Sequence, residues 1–509
     1  MEVKKLIRQI AIGAVLAALV FTAHQRGLLD YLEYKSLDVR FQIRGAVPTK
    51  LPLVIVSIDQ DSFDELDLPW PWPRTMHAAL IRKLKQAGAR IIAFDVLFTE
   101  PKADQREDRA LAEAIRDAGN VILGAEQTEV DSAFGARARL SLPIPLIRQY
   151  AKGYGPANLV IDRDGVVRSG RFALPFQDQK FPGFAYGIYA AATGNKKPAD
   201  ELSTAPYMIN FRGPGRTYPI APYYRVLRDE IDPAFFRDKI VLVGAYSPSL
   251  HDFFSTPFSA SQPMAGVEIQ ANFVDTLAAG DPIVVVPGSV LLALFIALSA
   301  ATIWAAVHFR PLRATATVFG LMALYAFVAL YLFSYDQLWL SVVPVVLGST
   351  MSYGGIILDQ YIREQKLRLR MRGMLNRYLN TDMVDEMLKL PEGLGLEGKR
   401  RHITVLFSDV RGFTSMSEHL TPEQVVSLLS DYLGRAAHIV TDNNGVIDKF
   451  IGDAVFAFYG WPKSDGNDAL RAVKTGIEMI QLVDSLGPKW TEIIGRPLKV
   501  GVGINTGEA

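Results

Sequence analysis

The sequence predicts a membrane protein of the α/β class, with an exterior α/β domain, four transmembrane helices and an interior ferredoxin-like α+β domain. Three observations predict this architecture. The chain contains four long apolar runs, strand and helix patterns alternate before the second run, and the last hundred or so residues follow a strand–helix–strand–strand–helix–strand order. A chain of 509 residues is long enough for two or three domains that each bury a core.

The overall composition is nearly neutral and lacks cysteine. Lys and Arg number 54 and Asp and Glu number 53, for a net charge of +1. This balance argues against wrapping of nucleic acid, so no nucleic-acid partner is expected. The absence of cysteine excludes both a disulfide framework and a thiolate zinc site.

Four apolar segments predict the membrane helices, because each approaches the roughly 20 residues that a bilayer requires. They are Leu6–Ala23, Gly288–Val307, Ala314–Phe333 and Leu338–Leu358. The first segment could instead be a cleaved signal peptide. Phe21 stands where a small residue should precede the cut, so an uncleaved anchor is the favoured interpretation.

The basic residues near these segments predict their orientation. They flank the first segment, lie between the second and third, and follow the fourth: Lys4, Lys5, Arg8, Arg310, Arg313, Arg363, Lys366, Arg368, Arg370 and Arg372. By the positive-inside rule all three clusters are interior. We therefore expect a multi-pass protein of a bacterial inner (plasma) membrane, with residues 24–287 outside and everything after about 359 in the cytoplasm.

The exterior segment has the pattern of a parallel α/β unit. "LPLVIVSID" (Leu51–Asp59) and "RIIAFDVLF" are buried-strand runs separated by a helical pattern, which favours a parallel crossover. "DKIVLVGA" (Asp238–Ala245) is a further strand, and "AGVEIQANFVDTLAAG" is a helix. His251 and Asp252 form a polar pair on a loop, for which capping or surface chemistry is favoured over a ligand role.

Several of these stretches, together with "SLDVRFQIRG" and "VIDRDGVVRSGRF", resemble the type 2 CHASE domains. The resemblance covers about residues 30–285, and the motifs occur in the family's order. It implies an extracellular sensor module with one helix before it and three after it. On this basis residues 1–23 are the cytoplasmic N-terminus and first helix, 24–287 the sensor for an unknown exterior ligand, and 288–358 helices two to four.

Residues 359–398 are predicted to be a signalling helix and linker. Leu367, Met371, Met374 and Tyr378 form a stripe that could pair with the same helix of a second chain or pack against the following domain. Asn380 and Thr381 can cap a second short helix. "GLGLEG" (Gly393–Gly398) matches a dinucleotide motif, but no strand precedes it and no helix follows it, so a connector is favoured.

The last segment, residues 399–509, predicts the ferredoxin-like domain. "ITVLFSDV" is a strand that turns at Gly412, a helix starts at Thr421 or Pro422, and "GVIDKFIGDAVFAFYG" is a hairpin that turns at Gly452. A helix over about residues 466–486 and the strand "KVGVGINTG" complete the order. In this fold the first strand lies beside the hairpin, so Asp409 at a strand end and Asp453 at the turn are expected to converge.

Two converging carboxylates beside a glycine turn predict a hard-oxygen metal site suited to Mg²⁺ or Mn²⁺. Backbone N–H groups of Gly412, Phe413 and Thr414 could hold a triphosphate there. Two metal ions in such a site can activate a ribose hydroxyl and neutralise a departing pyrophosphate. The alternative is that each aspartate is only a cap or turn residue.

The motifs "FSDVRGFT" and "DKFIGDAVFAFYG" resemble the class III nucleotidyl cyclases. The resemblance implies that Asp409 and Asp453 bind two Mg²⁺ or Mn²⁺ ions, with the Val410 backbone as a further ligand. It implies that Lys449 reads the purine. It also implies a head-to-tail homodimer with composite active sites, in which the aspartates come from one chain and Lys449 from the other.

The expected function is therefore a receptor-type adenylate cyclase that converts ATP to cyclic AMP and pyrophosphate. A guanylate cyclase and a non-catalytic sensor or dimerisation receptor are the alternatives. A histidine kinase and a diguanylate cyclase are disfavoured, because their phosphoacceptor helix and Gly-Gly-acidic hairpin are not found. The family places a second purine selector, an asparagine and an arginine beyond Ala509, so the chain is expected to be a fragment or inactive by itself.

Overall fold

The computed structural model describes residues 2–132, 135–259, 262–375, 400–461 and 464–509. It divides into two compact units, one ending at Ile357 and one beginning at Leu358. The predicted short helix after Thr381 and the connector Gly393–Gly398 lie outside the described residues. Tyr378 and the side chain of Met374, which belong to the predicted stripe, lie outside them as well.

The first unit is built on a seven-stranded sheet in the described part of the chain. Its strand order is β11–β1–β12–β2–β3–β4, and β5 also pairs with β3. All pairs are parallel except β3 with β4. These strands are β1 (Leu53–Ile58), β2 (Ile91–Leu97), β3 (Val121–Ser132), β4 (Gly135–Ser141), β5 (Gly153–Pro156), β11 (Ile220–Pro222) and β12 (Ile240–Ala245).

Helices cover both faces of this sheet. Those of the first unit are α1 (Glu2–Gln25), α2 (Asp30–Arg44), α3 (Gln60–Leu66), α4 (Arg74–Gln86), α5 (Gln105–Ala118), α6 (Pro145–Arg148), α7 (Phe184–Thr193), α8 (Tyr223–Leu227), α9 (Gly266–Ala279), α10 (Gly288–His308), α11 (Pro311–Asp336) and the start of α12 (Val343–Leu375). Leu53 and Ile55 of β1 pack against α2, α7 and α9, whereas Val54 and Val56 pack against α4, α5 and α8. Burial on both faces explains the unbroken apolar run of this strand.

Short strands and turns complete the unit. They are β6 (Val160–Ile161), β7 (Val167–Gly170), β8 (Ala173–Phe176), β9 (Gln179–Pro182), β10 (Tyr207–Met208), β13 (Phe253–Phe254), β14 (Met264–Ala265), β15 (Val284–Val285), β16 (Leu338–Trp339) and the 3₁₀ turns Ala199–Glu201, Pro233–Phe235 and Pro248–Leu250. The predicted strand–helix–strand order is observed, because β1 and β2 both run parallel to β12, which lies between them.

Three helices in the described residues are long and apolar enough to cross a membrane, not the four predicted: Val3–Gln25, Gly288–His308 and Pro311–Asp336. The predicted fourth span, Leu338–Leu358, is wrong because Leu338 and Trp339 form β16, which pairs with β15. The helix α12 begins only at Val343 and reaches Asp359 before the roughly 20 apolar residues of a span are complete. Its first half nevertheless packs beside α1, since Ser352 Oγ donates to the carbonyl oxygen of Gly13 at 2.8 Å.

A buried polar junction joins α2 to the start of α12. The carboxylate of Glu33 accepts hydrogen bonds from Arg40 Nη2 at 3.1 Å and from Trp339 Nε1 at 3.0 Å. It also accepts from the backbone N–H groups of Val342 and Val343, the latter at 2.9 Å. Glu33 therefore supplies acceptors for N–H groups that the first turn of a helix leaves unpaired.

The second unit has the predicted ferredoxin-like order. Its elements are β17 (His402–Val410), α13 (Phe413–Ser417), α14 (Pro422–Asp442), β18 (Val446–Ile451), β19 (Ala454–Tyr459), α15 (Asp468–Ile494) and β20 (Val500–Glu508). The antiparallel sheet has the order β18–β19–β17–β20. Thr421 begins α14 with a capping box, in which its Oγ1 accepts from Gln424 N and Gln424 Oε1 accepts from Thr421 N.

Only one face of this sheet is covered within the described residues of the second unit. Leu406, Val455 and Ala457 pack against α14 and α15. On the other face Phe407 is 40% exposed, and it stands opposite the half-buried Phe456 with 6.1 Å between the ring centroids. The site described next lies at one end of this sheet.

Candidate active site

The structure brings Asp409, Val410 and Asp453 together at one end of the antiparallel sheet. Asp409 is the penultimate residue of β17, and Asp453 follows the hairpin turn at Gly452, whose φ of 64° favours glycine. The backbone N–H of Val410 donates to Asp453 Oδ2 at 3.0 Å. The charge of Asp409 also acts on the Asp453 carboxyl group. The predicted convergence is therefore observed, and it arises because β17 and β19 are neighbours.

The electrostatics of this pair indicate unbalanced negative charge. Burial raises the pKa of Asp453, and the adjacent Asp409 carboxylate raises it further, whereas backbone hydrogen bonds from Asp453 itself and from Val410 oppose the rise. Among the described residues, no lysine or arginine forms an ion pair with either aspartate. No group of three or more acidic or histidine side chains suited to a metal occurs in the described residues. Two carboxylates and a nearby carbonyl oxygen are a donor set that a hard divalent cation prefers.

The turn after β17 starts a short helix beside the two aspartates. Gly412 has a φ of 65° and precedes α13, whose first residues are Phe413 and Thr414. The N–H groups at a helix start have no partner within the helix and can bind an anion. The three residues predicted to bind phosphate therefore lie at the start of this helix, a few positions after Asp409 in the sequence.

Arg496 is a neighbour of this turn that sequence reasoning missed. Its Nη2 donates to the carbonyl oxygen of Gly412 at 2.9 Å. A side chain at Gly412 would collide with it, since a Cβ there would lie 2.8 Å from the same nitrogen. The pairing of β20 with β17 could have indicated this contact, because it brings the residues after Gly495 alongside the turn.

The structure does not bring Lys449 to the aspartates of its own chain. Lys449 lies on β18 opposite Phe456, and β19 separates it from β17. Its side chain is 59% exposed, and its Nζ lies 3.0 Å from Asp448 Oδ2. Lys449 and Phe456 share a face of the sheet, as directly opposite residues in an antiparallel pair do.

Profiles of two known families match the chain, one within each unit. A profile described as "CHASE2 domain" matches residues 14–307, more than half of the chain. A second profile, "Adenylate and Guanylate cyclase catalytic domain", matches residues 397–509. The chain belongs to the CHASE2 domain family, and it joins that domain to a nucleotidyl cyclase catalytic domain.

The similar proteins carry names of both cyclase types. The match to "Adenylate cyclase, terminal-differentiation specific" of Dictyostelium discoideum is 40% identical over 112 residues, and that to "Adenylate cyclase" of Anabaena cylindrica is 36% identical over 111 residues. Each match covers 21% of this chain, but only 5% and 21% of the relative. The crystal structure of the guanylyl cyclase Cya2 is 48% identical over 22% of this chain and 56% of that chain, with a TM-score of 0.21.

Proposed function

We propose that the protein is a receptor-type adenylate cyclase, which converts ATP to cyclic AMP and pyrophosphate under the control of its CHASE2 domain. The observation that carries the proposal is the convergence of Asp409, Val410 and Asp453 within the segment that matches the cyclase catalytic domain. A pair of carboxylates without a cationic partner is unfavourable as a purely structural feature, because each raises the energy of the other. Such a pair is suited to a metal-dependent reaction.

In this proposal, Asp409 and Asp453 hold Mg²⁺ or Mn²⁺ through their carboxylates, and Val410 contributes its carbonyl oxygen. Two bound ions would supply activation of the ribose 3′-hydroxyl and neutralisation of the charge on the pyrophosphate. The hydrogen bond from Val410 N keeps the Asp453 carboxylate aligned with Asp409. Gly412, Phe413 and Thr414 direct their N–H groups toward the phosphates.

The position of Lys449 supports a homodimer with composite sites. Since β19 separates Lys449 from Asp409 within one chain, a purine bound near the aspartates is better reached by Lys449 of a second chain. The apolar sheet face around Phe407 is not covered by the helices of the unit. Pairing of two such faces head to tail would remove this apolar surface from water.

We also propose ATP as the preferred substrate and a bacterial inner membrane as the location of the protein. Lys449 supports ATP as the substrate, whereas the relatives include adenylate and guanylyl cyclases, which keeps guanylate cyclase as the second candidate. The apolar helices and the basic clusters beside them support a bacterial inner membrane, with the CHASE2 domain outside and the cyclase domain in the cytoplasm.

The test measures cyclic AMP and cyclic GMP formed from ATP and GTP in the presence of Mn²⁺. Membranes carrying this chain are assayed beside control membranes that lack it. Formation of cyclic AMP that requires Mn²⁺ supports the proposal, and a preference for GTP would replace it by the guanylate cyclase. No product above that of the control membranes would favour the non-catalytic receptor.

A second arm tests the composite site. Lys449→Ala and Asp453→Ala are introduced into separate chains, which are then coexpressed. Each variant alone is expected to be inactive, and the mixture is expected to recover part of the activity, because one of its two sites contains both intact residues. A mixture as inactive as the single variants would contradict the head-to-tail homodimer.

A further inference from the structure

A cavity of about 760 Å³ lies in the CHASE2 domain at the carboxyl ends of its parallel strands. Its lining includes Ile58 from β1, Ala245 from β12, Asp95 from β2 and Ala125 from β3. Open parallel sheets bind ligands at this edge. The volume also falls within the roughly 300–1,000 Å³ of small-molecule sites. Position and size therefore both indicate a binding site.

Two aspartates line this cavity. Asp95 lies near the end of β2, and Asp252 lies in the loop after β12. Burial, followed by the charge of Asp252, raises the pKa of Asp95 to about 8, and burial raises that of Asp252 to about 6. In the part of the chain that the structure describes, neither side chain accepts a hydrogen bond or forms an ion pair. At neutral pH the raised pKa of Asp95 leaves one proton on the pair, and its remaining negative charge has no partner among the described residues.

The surrounding backbone makes room for both carboxyl groups. Gly266 begins α9, and a Cβ there would lie 2.6 Å from Asp252 Oδ1. A Cβ on Gly244 would lie 3.2 Å from the Cβ of Asp95 and 2.6 Å from that of Val267. Any larger residue at Gly266 would displace Asp252.

The other charged groups leave the cavity with an acidic excess. The titratable side chains that line it, besides the two aspartates, are Arg74, His77, Glu100, Lys102 and Glu126. Arg74 is already paired with Asp108 and donates to the carbonyl oxygen of Glu100. Burial lowers the pKa of His77 to about 3, so the imidazole is neutral, and its Nδ1 lies 2.9 Å from Tyr223 OH. The remaining cationic side chain, Lys102, is thus outnumbered by four acidic side chains in the lining.

Aromatic side chains supply the apolar part of the lining. Trp70 is half-buried and packs edge-on against the buried Trp72, with 5.4 Å between the ring centroids. Phe254 lines the cavity as well and is also half-buried. Aromatic faces attract organic cations, most strongly where water is excluded. They also provide contact surface for an apolar group.

We propose that this cavity binds a small organic cation, a protonated primary amine that carries an apolar or aromatic group. The ammonium group lies between Asp95 and Asp252, to which it can donate three hydrogen bonds. The apolar group lies against Trp70 and Phe254. The CHASE2 domain is thereby assigned an amine-binding site, independently of the reaction that the cyclase domain performs.

The experiment uses isothermal titration calorimetry on the full chain in detergent, with 2-phenylethylamine as the probe. Phenylacetate, an anion, and 2-phenylethanol, which is neutral, have the same aromatic group and serve as matched ligands. The variants are Asp95→Asn and Asp252→Asn, which preserve side-chain size. The exposed Asp178→Asn, in a turn outside the cavity, is the control. Thermal unfolding of each variant verifies that it is folded.

We expect the amine to bind the wild type and the Asp178→Asn variant equally well. Either cavity variant is expected to bind it at least about tenfold more weakly, because one carboxylate is lost, and that factor corresponds to about 1.4 kcal/mol. The alcohol and the anion are expected to bind far more weakly than the amine. Equal binding of phenylacetate, or amine binding that survives both cavity substitutions, would overturn the proposal. So would the absence of amine binding at millimolar concentrations, or Mg²⁺ binding that depends on Asp95 in its place.

Discussion

The two units of this protein each contain a pair of close aspartates, and the pairs differ in what surrounds them. Asp409 and Asp453 lie at the end of an antiparallel sheet, where Asp409 is exposed and Val410 N–H donates to Asp453. Asp95 and Asp252 lie in a cavity at the end of a parallel sheet, with no hydrogen-bond donor among the described residues. Burial raises the pKa of Asp453 and that of Asp95, the latter to about 8.

This difference indicates the kind of cation that each pair can take. At the end of the antiparallel sheet, where Asp409 is exposed and a backbone N–H aligns Asp453, the pair can bind a hydrated metal ion, whose remaining positions are filled by water or phosphate. The half-buried pair Asp95 and Asp252 lies in a cavity beside aromatic rings, which favour an organic cation with an apolar group. The two aspartate pairs have different surroundings because of the type of sheet, since a parallel sheet encloses its strand ends and a hairpin exposes its turn.

The largest expected effect comes from Asp453→Ala. We expect cyclic nucleotide formation to fall at least about thousandfold, because the metal site loses half of its carboxylates. The free energy of unfolding should change by less than about 1 kcal/mol, since the residue follows an exposed turn. Nucleotide assays and thermal unfolding measure both. Activity within a factor of ten of the wild type would contradict the metal assignment.

The next effect concerns carboxylates that do have a cationic partner. The buried guanidinium of Arg168 donates to Asp38, Asp162 and Asp164 at 2.8–2.9 Å. We expect Arg168→Ala to lower the free energy of unfolding by about 3–5 kcal/mol, because three carboxylates lose their common partner. Urea unfolding of the full chain in detergent measures the loss. Because Arg168 lowers the pKa of Asp164, the loss should shrink at low pH as Asp164 becomes protonated.

The matched control for Arg168 is Arg228→Ala. Arg228 is 44% exposed and lies 2.8 Å from Glu65 on the surface. Its removal should cost less than about 1 kcal/mol, since exposed ion pairs contribute little. Equal losses for the two arginines would show that burial does not determine the value of these ion pairs.

A smaller effect is expected for Asp95→Asn, and its sign depends on pH. The pKa of Asp95 rises from an ordinary value of 3.8 to about 8 on folding, so between these values the folded protein holds a proton that the unfolded chain has released. Stability is therefore unaffected below about pH 4 and falls as the pH rises toward 8. We expect the asparagine variant to have a higher free energy of unfolding than the wild type at pH 8 and the same value at pH 4. If the difference in unfolding free energy between the two proteins were the same at every pH in this range, the raised pKa would be contradicted.

The smallest expected effect is that of Asp409→Asn on stability. Without metal, the variant should gain a few tenths of a kcal/mol, because the repulsion that raises the pKa of Asp453 is removed. Mn²⁺ should raise the melting temperature of the wild type but not that of the variant, since binding stabilises only the form that binds. Differential scanning calorimetry with and without Mn²⁺ tests this. Equal stabilisation of both proteins would show that Mn²⁺ binds at a site that does not include Asp409.

Much of the architecture was determined by the sequence alone. The continuous apolar run of β1 and the hairpin turn at Gly452 are local patterns, and each was found as predicted. The pairing of Asp409 with Asp453 could also be predicted, because a hairpin fixes its own register and the strand order of the fold sets β17 beside it. These features depend on short-range geometry and on one known arrangement of strands.

Only the tertiary structure decided the features that depend on distant parts of the chain. Asp95 was not identified as a site residue, because its partner Asp252 is far away in sequence and meets it only through the insertion of β12 beside β2. The fourth apolar segment was predicted from Leu338, yet that residue pairs with β15 instead. Hydrophobic patterns report local burial, whereas strand order and long-range pairing follow from how the whole chain packs.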